Sequence, residues 1–114
     1  MKTKYHKNLT IDKWRRLSLA EQLANIGVEV KRAIFWKQKQ KQNLAQSALF
    51  RALELFDLTL NSSHHYPTLK EVARAREVVV DFLFGQNQYR SDANSLNRYF
   101  YHFNHLASKQ KQDA

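Results

Sequence analysis

Few side chains in this chain are spaced for chemistry. Glu54 and Asp57 stand three apart, as do His102 and His105, and Arg98 precedes His105 by seven residues. On a helix, such separations put side chains on one face. A di-metal carboxylate centre in a helical bundle requires Glu-x-x-His pairs, and the chain contains none. Glu54 and Asp57 have the spacing without the imidazole. His102 and His105 offer two nitrogens to one ion, but no second ligand pair matches them, and His64-His65 falls in a loop. Exposed or hydrogen-bonded imidazoles are the simpler reading. The absence of cysteine excludes disulfides, thiolate metal sites and a thiol nucleophile. Two glycines are too few for a phosphate-cradling loop. No metal and no cofactor is expected, and no catalytic residue is assigned on spacing alone.

What remains is positive charge. The 114 residues carry 19 Lys plus Arg against 10 Asp plus Glu, a formal net charge of +9. The excess is segregated: residues 1–42 hold eleven basic and three acidic side chains, whereas residues 43–108 hold six of each. A block of this kind attracts polyanions. Lys31, Arg32, Lys37, Lys39 and Lys41 are expected to line one end of the fold, with Lys13, Arg15 and Arg16 extending the patch. Lysine alternating with glutamine from Lys37 to Gln42 supplies point charges and amides without base-reading geometry, which suits phosphate contacts. Trp36, with Phe35 beside it, and Trp14 are candidates for stacking on an unpaired base, against the ordinary role of such rings in capping a core. The same charges would also serve as a solvated coat or as a docking face for an acidic protein. An anionic membrane is disfavoured because the basic stretch lacks a wide apolar face. Nucleic acid, RNA before DNA, is the expected partner. The lack of cysteine and of a signal-like start leads to an expected cytoplasmic location.

The elements that position these groups read as helices. Residues 1–17 form a basic arm, disordered over Met1 to Thr10 and with a short helical turn at Ile11 to Arg16. Ser18-Leu19-Ala20-Glu21 fits a capping box, and Leu19, Leu23, Ile26, Val30 and Ala33 draw one apolar stripe behind it. Gly27 beside that stripe implies close approach of a neighbouring backbone. A turn is expected within Lys37 to Gln42, then a second helix from Asn43 to Leu60 with Leu49, Ala52, Leu53, Phe56 and Leu60 inward, and Leu44, Leu55 and Leu58 widening that face. Asn61 to Pro67 is a loop. Thr68-Leu69-Lys70-Glu71 is read as a second capping box, and Gly85 as a left-handed stop. A last helix starts between Asp92 and Ser95 and presents Leu96, Tyr99, Phe100 and Phe103. Tyr101, off that stripe, is a candidate for a subunit interface. Glu29 against Arg51, and Arg76 against Asp57, are expected to pair and fix helix register. The expected architecture is all-α: an up-down four-helix bundle over 18–108, with a disordered tail over 109–114.

Two resemblances add to this reading. Arg98-x6-His105 resembles the Arg-x4–6-His motif of HEPN ribonucleases, although Tyr99 follows the arginine where that family usually has a polar residue. It implies an alternative function: RNA cleavage, with His105 as acid/base, Arg98 holding the phosphate, and a dimer bringing two motifs together. Separately, residues Leu17 to Glu29, with Arg51-Ala52-Leu53-Glu54-Leu55 on the next helix, resemble the four-helix 23S rRNA intervening-sequence proteins and the related accessory proteins of diversity-generating retroelements. The family's Asn-Ile-x-Glu-Gly signature is replaced here by Asn25-Ile26-Gly27-Val28-Glu29. This second resemblance implies a basic homo-oligomer that binds RNA and, in the retroelement branch, a reverse transcriptase.

Overall fold

Helices start in this chain where a preceding group satisfies their first free amides. The computed structural model describes residues 3–62 and 64–113. Within them the elements run α1 (Ile11–Arg15), α2 (Leu19–Gln38), α3 (Gln42–Leu60), α4 (Tyr66–Phe84) and α5 (Ala93–Asp113), with no strand. Met1, Lys2, Ser63 and Ala114, parts of the expected arm, loop and tail, lie outside the described residues. The Ser18 capping box forms in full: Ser18 Oγ accepts from the Glu21 amide at 3.1 Å and Glu21 Oε1 accepts from the Ser18 amide at 3.0 Å. Those bonds hold the Glu21 carboxyl below its ordinary range. Before α5, Asp92 Oδ1 accepts from the Ser95 amide at 2.7 Å. The lysine–glutamine run does turn between α2 and α3, with Gln40 in the left-handed region at φ 60°.

The second capping box does not form. Helix α4 begins at Tyr66, after His65, with Pro67 in its first turn. Proline fits there because its fixed φ suits a helix and its missing N–H would be unsatisfied anyway. Thr68 therefore lies inside the helix, and the Glu71 carboxylate accepts from Tyr99 Oη at 3.2 Å instead. Gly85 is not left-handed either, its φ being −100°. The close approach of Asp81 Cα and O, 2.9 Å from where a Cβ would stand, leaves no room for one. Helix α5 continues through the expected tail to Asp113, where Lys111 and Gln110 reach Glu21 and Ser18 at the start of α2.

Packing centres on α2 and α3. Helix α5 leans chiefly on α2, α4 on α3, and α1 on α3. Leu23, Ile26, Val30, Leu55, Phe56, Leu58, Val79 and Leu83 are buried at the centre. The buried face of α3 is broader than its sequence stripe because α1, α2 and α4 surround it. Leu55 and Leu58 are therefore buried, Leu53 and Leu60 half-buried, and Leu44 exposed. Both expected ion pairs form: Arg51 Nε lies 3.5 Å from Glu29 Oε2, and Arg76 Nε 3.1 Å from Asp57 Oδ1.

The arm is not a free strand. Glu54 Oε2 accepts from the amides of Lys4 (2.6 Å) and Tyr5 (3.0 Å), and Oε1 from that of His6 (2.9 Å). The His6 ring adds a 2.9 Å contact through Nδ1. One carboxylate thus gathers three successive residues onto α3. Helix α1 follows, with Trp14 only 2 % exposed and its Nε1 donating to Thr59 Oγ1 at 2.9 Å. Gln22 Nε2 donates to the Trp14 carbonyl, and its oxygen contacts His64 Nε2 at 2.9 Å, which ties α1, α2 and the α3–α4 connection together.

Two recesses flank α5. One, about 240 Å³, lies against α4 between Ala75, Val78, Leu96 and Phe100, with the Tyr99–Glu71 bond beside it. Burial pushes the Tyr99 phenol up, and the adjacent Glu71 adds to the shift. The other, of about 570 Å³, lies against α2.

Candidate nucleic-acid interface

The basic residues that sequence reading grouped do not converge. Lys13 and Arg15 ride on α1 and Arg16 caps its end, and Trp14 fixes that helix beside the end of α3. Arg15 Nη2 there donates to the Asn61 carbonyl at 3.0 Å. Lys37, Lys39 and Lys41 lie at the α2–α3 turn, where Lys37 Nζ donates to the Phe82 carbonyl at 2.7 Å near the end of α4. The 20 residues of α2 separate the two sets, about 30 Å at the rise of an α-helix. The single patch expected from sequence is therefore two groups at opposite ends. The reason is connectivity: only Leu17 and Ser18 separate Arg16 from α2, so the first set stays at one end of that helix and the second at the other.

Several of these cations are already engaged. Lys13 Nζ donates to the Asn8 carbonyl at 3.0 Å, and Arg32 Nη1 lies 3.2 Å from Glu29 Oε1. Lys37 also lies over the Phe82 ring, and Lys39 over the Phe35 ring. Of the aromatic candidates, Trp14 is core and cannot stack on a base. Trp36 is half-buried and packs edge-on against Phe35, with centroids 5.0 Å apart. Arg16 and Lys41 are exposed and make no ion pair among the described residues.

Lys31 stands apart. It belongs to the α2 wall of the larger recess, with Ala24, Gly27 and Val28. Helix α5 supplies the opposite wall through Asn94, Asn97, Arg98, Tyr101 and Asn104, with Phe100 below. The helices come this close because α2 carries a glycine here. A Cβ on Gly27 would stand 2.6 Å from Phe100 Cβ, so the close neighbour that the sequence implied is the root of a side chain. The two cations and three carboxamides meet no acidic lining residue. Neither Lys31 nor Arg98 has an ion-pair partner among the described residues, and Asn94, Asn97 and Asn104 make no side-chain hydrogen bond there. Elsewhere, Asn25, Asn61 and Asn87 spend theirs on backbone carbonyls. The arrangement can bind an anion on the guanidinium and ammonium and hydrogen-bond a planar polar group beside it.

Sequence reasoning had Lys31 and Arg98, in separate hypotheses, and missed the carboxamides. Their spacing was visible: Asn94, Asn97, Arg98, Tyr101 and Asn104 fall on one side of a helix. What was not visible is that α2 forms the facing wall. His105 is exposed and stays outside the groove lining. No group of three or more His, Asp or Glu placed to hold a metal occurs among the described residues. None of the described helices is long and apolar enough to cross a membrane. Comparison with protein-family models, with curated proteins and with solved structures finds no match.

Proposed function

We propose that this chain is a non-catalytic nucleic-acid-binding bundle of up-down topology, taking RNA before DNA, with the α2–α5 groove as its main contact. The observation that carries the reading is the convergence of Lys31 and Arg98, unpaired and from two helices, on a groove without acidic lining in a molecule of net charge +9. Phosphate binding needs little more than uncommitted cations in such a field. The topology is supported by the Ser18–Gln110 contact, which joins the start of α2 to the end of α5, and by the Lys37–Phe82 contact, which joins the ends of α2 and α4. Of the Arg98–His105 pair only Arg98 lines the groove, so binding is better supported than cleavage.

The test is the salt dependence of RNA binding, read by fluorescence anisotropy. Engagement of about three phosphates on a single strand gives a log–log slope near −2. Lys31→Gln and Arg98→Gln should each flatten it by about 0.7, whereas Lys13→Gln combined with Arg16→Gln should change it less. Undetectable binding at low salt overturns the reading.

A further inference from the structure

We infer that the α2–α5 groove takes unpaired RNA and contacts its bases as well as its phosphates, an inference that rests on the nucleic-acid reading above. The observation is the company the two cations keep. Phosphate neutralisation alone requires neither carboxamides nor an aromatic ring, yet Asn94, Asn97 and Asn104 project into the same groove with their amides unused, and Tyr101 stands at its edge, 68 % exposed. An exposed tyrosine with no ring partner among the described residues offers a stacking face to any base, which is how single strands are held without strict sequence preference. A carboxamide offers a donor and an acceptor side by side, matching the paired groups on the edge of a base.

The placement favours an unpaired strand over a duplex. A-form RNA hides its major-groove base edges from side chains, and its stacked bases present no free face to a tyrosine. The Asn94 to Asn104 strip covers eleven residues of α5, about 15 Å end to end, with Lys31 across from it on α2. A short run of splayed nucleotides can lie along that strip with its backbone toward Lys31 and Arg98. The apolar Ala24 and Val28 on the α2 side complete a surface suited to the flat face of a base.

The experiment compares one fluorescently labelled RNA oligonucleotide, single-stranded and annealed to its complement, at a single low salt concentration, with 2-aminopurine placed within the strand as a stacking probe. The single strand is expected to bind at least fivefold tighter than the duplex and to show quenched 2-aminopurine fluorescence on binding. Tyr101→Leu should weaken single-strand binding at least fivefold and abolish the quenching without changing duplex binding, whereas Tyr101→Phe should retain both. Tyr101 is exposed, so circular dichroism should show the fold of either variant intact. Equal affinity for both RNA forms, or a Tyr101→Leu variant that binds and quenches like the parent, overturns the inference while leaving phosphate binding in place. Absence of binding to either form overturns this inference and the proposed function together.

Discussion

Two residues in the fold have opposite reasons for being what they are. Gly27 has no side chain because Phe100 occupies the space, 2.6 Å from where a Cβ would be. Glu54 has a carboxylate because three backbone amides and an imidazole need an acceptor. Replacing Gly27 by alanine improves helix propensity by about 1 kcal/mol, but overpacking against a side-chain root costs about 1–3 kcal/mol. Gly27→Ala should therefore lower the urea midpoint. At Glu54, burial pushes the pKa up, but the Tyr5 and Lys4 amides and the His6 ring pull it down further, leaving the carboxyl below its ordinary range. A depressed folded-state pKa contributes stability that is full above the unfolded value and is lost as pH falls through the folded one. The segment Lys4 to His6 should thus detach as pH falls below the ordinary carboxylate range, with its amide NMR shifts moving to random-coil values. Glu54→Gln should release it at neutral pH.

The helices themselves show which information is local. The Ser18 box, the α2 stripe, the turn after Lys37 and the Asp92 start of α5 depend on contacts within a few residues, and each was legible from type and spacing. Misreadings arose where a neighbour outvoted the local pattern. Pro67 claimed the first turn of α4 and left Thr68 inside it. Asp81 explained Gly85 without any left-handed backbone. The groove was illegible for the same reason, since its walls lie more than sixty residues apart in the chain. The α2–α3 turn offers a check on local strain. Gln40 sits at φ 60°, a region that disfavours side chains with a Cβ. Gln40→Gly should raise stability by a few tenths to about 1 kcal/mol, measured by thermal unfolding.

For the whole molecule, the decisive asymmetry is in how α5 is held. Its support comes chiefly from α2, and a recess separates it from α4 apart from the Tyr99–Glu71 bond. Elements with fewer neighbours open at lower free energy than the core, so α5 should exchange its amide hydrogens before α3 does. The proposed RNA groove is made of the same two helices. A strand seated there would clasp α5 to its principal support, and occupancy would convert into rigidity by mass action. Deuterium uptake measured with and without RNA should then fall along α5 and the facing turns of α2 while α3 keeps its rate, so that a helix held mainly from one side becomes the one that reports its cargo.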